Sequence, residues 1–163
     1  MLKNISEKKI FQKKNEASHE YCADAIALYD GKIVLVERLN FPQGYALPGG
    51  RRDPLQKIDS KKIFQESDFE TPEVCAIREF FEETGLTLII RGVLGVYDAP
   101  NRDPRGPKTS TVVYGTASGI LRDEIGKTRV FFMDPFDMEK NKEKFVFDHY
   151  KILCDARKKG ILP

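Results

Sequence analysis

The chain has 163 residues, 40% hydrophobic and 32% charged, with a net charge of +2. This length suits one domain with a substantial core, and the small net charge excludes the strongly basic footprint of a general nucleic-acid binder. Three cysteines without a CxxC pair exclude a zinc site or disulfide framework. No apolar run reaches the ~18 residues of a membrane span or the length of a signal peptide, so no membrane partner and a reducing, cytoplasmic setting are expected.

Residues 1–18 read as a basic N-terminal arm, in which Lys3, Lys8, Lys9, Lys13 and Lys14 precede or flank a lone early acid, Glu7. A solvated terminus accounts for it; RNA is the alternative partner and rests on composition alone. "YCADAIALYDGKIVLVERL" predicts two strands joined at Asp30-Gly31, a strong hairpin signal. "NFPQGYALPGGRRDP" is rich in turn residues, and Gly49-Gly50 lets the backbone approach a neighbour closely. Residues 51–69 mix charge with scattered apolar side chains and read as an excursion without assigned structure.

Thr71 as N-cap, Pro72 at the first helical position and Gly85 past the end predict a helix between them. Val74, Ile77 and Phe81 recur at helical spacing and are expected to face the core. "LTLIIRGVLGVYD" predicts one long strand or two short ones, "APNRDPRGPKTS" a loop, and "TVVYGTAS" and "TRVFFMD" two further strands. The tail "KFVFDHYKILCDARKKG" predicts a terminal helix with Gly160 after it. Several strands and two helices make a single α/β or α+β domain over 19–163.

The helix carries "REFFEETG", with Glu79, Glu82 and Glu83 on an arc of about 100° at 100° per residue. Like charges three and four apart oppose a helix by roughly 0.2–0.5 kcal/mol per pair. Clustered hard oxygens suit Mg²⁺ or Mn²⁺, which accept carboxylates, waters and phosphates. A solvated acidic face with Arg78 paired to Glu82 would account for the same pattern.

The glutamates are not alone. Glu70, Arg78, Glu79, Phe80, Glu82, Glu83, Gly85 and Leu86 fall on the positions of G-x5-E-x7-R-E-U-x-E-E-x-G-U, with U apolar, and the stretch resembles the Nudix hydrolase box. In this chain 19 residues separate Gly50 from Glu70 where the pattern has five. The excess reads as an insertion within about 51–69 that leaves Gly50 in its role, since loop length is cheap in closure entropy. The resemblance implies an α/β/α sandwich with a mixed sheet and a divalent cation, Mg²⁺ or Mn²⁺. It implies metal ligands at Glu79 and Glu83, with Glu82 on a second ion or taking a proton, and the Gly50 carbonyl as a further ligand. Glu70 and Arg78 complete the catalytic set as a supporting ion pair. Asp98, Asp103, Asp123 and Glu124 are open alternatives for the general base.

"YDAPNRDPRGPKTSTVVY" is similar to a loop of the ADP-ribose pyrophosphatase branch, and Pro100 lies 15 residues after Gly85. Arg102, Arg105 and Asp103 are its substrate-binding candidates, because guanidinium forks suit phosphate and ribose oxygens. Phe41, Tyr45, Tyr97 and Tyr114 are open candidates for stacking on adenine. "FVFDHYKIL" resembles the start of the last helix in the same branch; its His149 reads as structural, and His19 has no evident partner. The implied reaction converts ADP-ribose, a small nucleoside diphosphate derivative, to AMP and ribose 5-phosphate. The alternatives are another dinucleoside, nucleotide sugar or oxidised nucleoside triphosphate, or an ADP-ribose sensor without catalysis. Relatives are often homodimers, so a homodimer is expected.

Overall fold

The computed structural model describes residues 19–57 and 64–163; the basic arm and the centre of the 51–69 excursion lie outside them. Strands β1 (Glu20–Tyr29) and β2 (Lys32–Arg38) form the hairpin expected at Asp30-Gly31, where Asp30 and Gly31 have φ of 48° and 78°. Short strands β3 (Gly44–Ala46) and β4 (Gly49–Arg51) arise within the turn-rich stretch. Helix α1 is Pro72–Thr84, followed by β5 (Leu86–Tyr97), β6 (Lys108–Gly119), β7 (Thr128–Met133) and α2 (His149–Lys158). The tail is thus helical only from His149, with 3-10 turns at Pro135–Asp137 and Glu139–Lys144 before it.

The strands make one mixed seven-stranded sheet, ordered β3-β2-β1-β6-β5, with β4 on β1 and β7 on β2. β1 and β6 run parallel, and the other pairings are antiparallel. β5 breaks register around Gly92 and Gly95, as expected of a long edge strand carrying bulges. α1 covers one face and α2 the other, so the sheet lies between helices. The alternation along β1 explains the division. Ala23, Ala25 and Ala27 pack with Cys75, Ala76 and Phe80 of α1, whereas Ile26 packs with Ile152, Leu153 and Ala156 of α2.

α1 is capped as its sequence dictates: Thr71 Oγ1 accepts from Val74 N, and Gly85 closes the helix at φ 73°. Its buried side differs from the expected one. Val74, Ile77 and Phe81 are about half exposed, whereas Cys75, Ala76, Phe80 and Thr84 are buried. The alanine-lined face of β1 accepts small side chains close to the sheet, with Phe80 as the one large anchor, and the bulkier stripe is left on the flank. This rotation turns Glu83 inward.

The two ends of the 51–69 excursion are pinned side by side. Pro54 bridges Phe69, Leu55 N donates to Asp68 O, and Glu70 N donates to Asp53 O. Buried Arg52 donates to Glu70 O at 2.6 Å and pairs with Glu66 at 2.6 Å.

Candidate active site

The three glutamates of α1 occupy graded environments. Glu83 is 8% exposed, while the side chains of Glu79 and Glu82 are 17% and 49% exposed. β4 passes directly beneath. Gly50 has no room for a side chain: a Cβ there would lie 2.6 Å from both Glu79 carboxylate oxygens. The Gly50 carbonyl accepts from Cys75 Sγ at 3.5 Å, facing the same helix.

Asp24 joins this cluster from β1. It accepts from Ser110 Oγ at 2.5 Å, and its charge bears on Glu83. Burial, then Glu79, Asp24 and Glu124, push the Glu83 carboxyl well above its usual range, while the Gly49 N–H opposes the shift. Burial also raises Glu79, against the pull of Arg78. Glu83 Oε2 is buried with no hydrogen-bond partner. An orphaned carboxylate oxygen, like charges acting on the same carboxyl and a glycine backbone lying against Glu79 together fit a hard divalent cation. Among the described residues no three His, Cys, Asp or Glu side chains already converge on an ion position. Glu79 is turned onto Arg78 Nη1 at 2.9 Å.

Arg78 ties the site to its supports. It hydrogen-bonds Glu70, lies 3.4 Å from Asp53 and 3.6 Å from Glu82, and donates to Arg51 O at 3.2 Å. The Glu70–Arg78 pair therefore forms, and so does the Arg78–Glu82 pair of the alternative reading. Burial raises the Glu70 carboxyl, but hydrogen bonds from Arg78 and Asp53 N hold it below its usual value. A depressed carboxylate stabilises the fold fully above the ordinary value of 4.5, and that contribution is lost as pH falls through the lower folded value. Glu70→Gln is therefore expected to cost about 1–3 kcal/mol at pH 7. Thermal melts should show the gap to wild type closing as the pH is taken below 4.5.

A cavity of about 370 Å³ opens beside Gly49-Gly50, under the 98–107 loop and the start of α2. Four cations line it: Arg51, Arg102, Arg105 and Lys108. Each holds a carboxylate. Arg102 forks onto Asp148 at 3.0 and 2.8 Å, Arg105 forks onto Asp103, and Glu20 takes both Arg51 and Lys108. Arg102, Asp103 and Arg105 meet at one cavity, with Asp103 as the partner of Arg105. The apolar wall is Leu47 and Phe147.

The four aromatic candidates lie elsewhere. Tyr45, Tyr97 and Tyr114 pack on the core and Phe41 is largely exposed; the cavity ring is Phe147. Of the four candidate bases, Asp98 is exposed, Asp103 is engaged by Arg105, and Asp123 accepts from Val130 N. Glu124, held by Lys127 at 2.7 Å, is the one whose charge reaches both Glu79 and Glu83. His149 is buried; it accepts from Leu47 N at 2.9 Å and faces Asp24 at 3.7 Å. His19 meets Thr109 at 2.7 Å.

Asp24, Phe147 and Asp148 were not among the site residues expected from sequence. Only Asp24 carried a usable signal, a lone acid inside the alternating apolar run "CADAIALY".

Comparison with known proteins gives the same direction from three sides. Residues 19–156 match the model of the NUDIX domain. The chain is 38% identical over 135 residues to the ADP-ribose pyrophosphatase of Methanocaldococcus jannaschii, covering 81% of this chain and 69% of that protein. Among solved structures it resembles a bifunctional NMN adenylyltransferase/ADP ribose pyrophosphatase from Francisella tularensis, complexed with AMP and a Mn ion. That match has a TM-score of 0.71 at 22% identity and covers 95% of this chain but 46% of the other, so the chain spans about half of that protein. It also resembles the NUDIX domain of Shewanella oneidensis NrtR complexed with ADP ribose, with a TM-score of 0.67 at 20% identity over 97% of this chain and 99% of that one. No helix among the described residues is long and apolar enough to cross a membrane.

Proposed function

Because this chain belongs to the Nudix family and is a Nudix hydrolase, we propose that it cleaves the diphosphate of ADP-ribose, with a divalent cation, into AMP and ribose 5-phosphate. The observation that carries this reading is the juxtaposition of two unlike environments. An acidic cluster of Asp24, Glu79 and Glu83 surrounds Gly49-Gly50, and beside it opens a cavity lined by four cations. The first environment suits a metal ion and the second suits a phosphorylated sugar. The ADP-ribose pyrophosphatase relative and the ADP-ribose-bound neighbour support the substrate.

A diphosphate is stable in water because its charge repels a nucleophile and its leaving phosphate is poorly stabilised. A bound Mg²⁺ or Mn²⁺ supplies charge neutralisation and a more acidic water. Glu83 and Glu79 would hold it with the Gly50 carbonyl, and Glu82, more exposed, would serve a second ion. Arg78, bonded to both Glu79 and Glu70, would orient Glu79 as a ligand without itself touching metal. Glu124 accepts the proton. Arg102 and Arg105 would take oxygens of the phosphate and ribose through the guanidinium edges that face the cavity.

A substrate panel tests the assignment. ADP-ribose, a dinucleoside diphosphate, a nucleotide sugar and an oxidised nucleoside triphosphate would be compared at fixed Mg²⁺. Preference for ADP-ribose in kcat/KM is expected, and strong preference for the triphosphate would discard it.

A further inference from the structure

Residues 147–149 make two local choices that oppose their own backbone. Phe147 adopts φ 58°, a left-handed conformation that a bulky side chain disfavours. Asp148 stands at the N-cap of α2, where an aspartate ordinarily accepts from the first turn, yet its side chain makes no capping hydrogen bond. Both choices serve the cavity. The Arg105 guanidinium lies 5.1 Å from the centre of the Phe147 ring, with Arg38 at 5.2 Å. The Asp148 carboxylate takes the Nε and Nη2 edge of Arg102. Among the described residues the Nη1 edge of that buried arginine donates to no protein group, and Arg102 lines the cavity.

The cavity's chemistry indicates what Nη1 meets. Asp24, Glu20 and Asp103 offer acceptors for hydroxyls, the cations suit phosphate, and the apolar wall is only Leu47 and Phe147, whose ring already carries the Arg105 and Arg38 guanidiniums. We propose that Asp148 is a positioning residue that fixes the Arg102 fork so that its free edge binds the ribose 5-phosphate half of the substrate. This rests on the diphosphatase reading for its substrate, but not for its binding test.

The variants are Asp148→Ser, which restores a good N-cap, Arg102→Lys, which loses the fork, and the two combined. Asp148→Ser is expected to raise KM for ADP-ribose about tenfold or more, as loss of a charge-assisted pair implies, and to raise it more than it lowers kcat. Product inhibition by ribose 5-phosphate should weaken in step, with inhibition by AMP unchanged. The double variant should be no worse than Arg102→Lys, because Asp148 acts through Arg102. Unchanged KM and ribose 5-phosphate inhibition, or additive losses, would overturn the proposal. If Asp148→Ser does not fold, Asp148→Asn replaces it under the same criteria. If the wild type does not turn over ADP-ribose, the diphosphatase reading fails separately. Calorimetric binding of ribose 5-phosphate then decides: binding lost in Asp148→Ser upholds the inference, and no binding to the wild type, or equal binding to both, overturns it.

Discussion

Glu83→Gln is expected to remove roughly three orders of magnitude of turnover, the rate equivalent of several kcal/mol of metal-derived stabilisation, while making the metal-free protein harder to melt. The two effects have one cause. Glu83 is buried within the field of Glu79 and Asp24, and one of its oxygens has no partner. Its charged form is disfavoured in the fold, so its raised carboxyl destabilises the metal-free protein at neutral pH and is relieved as pH falls. Glutamine has nearly the same shape without the charge. It removes the repulsion and also the ligand strength. Mg²⁺ should raise the melting temperature of the wild type and leave that of the variant unchanged, because only a species that binds the folded state stabilises it. Scanning calorimetry with and without Mg²⁺, beside an assay of AMP release, checks both halves. A variant less stable than wild type without metal would mean that Glu83 is a satisfied structural acid.

Gly50→Ala is expected to cost about 10²-fold in turnover, as misplacing a reacting group by about an ångström can, with the fold kept. Gly50 pairs with Ala23 in β4 and is not among the positive-φ glycines, so its backbone conformation is open to alanine. The added carbon collides instead with the tip of Glu79. That tip is a flexible side-chain end, and moving it is cheap for stability. It is costly for turnover if Glu79 holds the metal, as proposed. Gly49→Ala gives the contrast, since its Cβ would meet the Ala23 carbonyl and the Asp24 backbone and side chain. Its penalty should appear in the melting temperature. Circular dichroism melts with kcat/KM for both variants separate the two, and a Gly50→Ala enzyme of wild-type activity would remove Gly49-Gly50 from the metal site.

The readable parts of this chain were those decided within a few residues. Thr71, Pro72 and Gly85 bound a helix by their own chemistry, the Asp30-Gly31 turn set a hairpin, and the spacing of the glutamates follows from helical geometry alone. What could not be read depended on distant partners. Two 3.6-residue stripes compete on α1, and the larger side chains of Val74, Ile77 and Phe81 make theirs look like the core. The alanines of β1, some 50 residues away, decide for Cys75, Ala76 and Phe80. Asp24 joins the acidic cluster only because β1 lies beside β4. Asp148 resembles an ordinary helix cap until the 98–107 loop brings Arg102 to it. The sandwich and its family were therefore accessible from sequence, whereas the far wall of the cavity was not.

On the proposed function, the Glu79–Glu83–Gly50 cluster holds the divalent cation that makes diphosphate cleavage possible. The most direct test titrates metal-free protein with Mn²⁺, following bound ion by electron paramagnetic resonance and AMP release from ADP-ribose in the same samples. Occupancy and turnover should rise together, and Glu83→Gln should lose both. AMP release in excess chelator, or unaltered Mn²⁺ binding by Glu83→Gln, would contradict it.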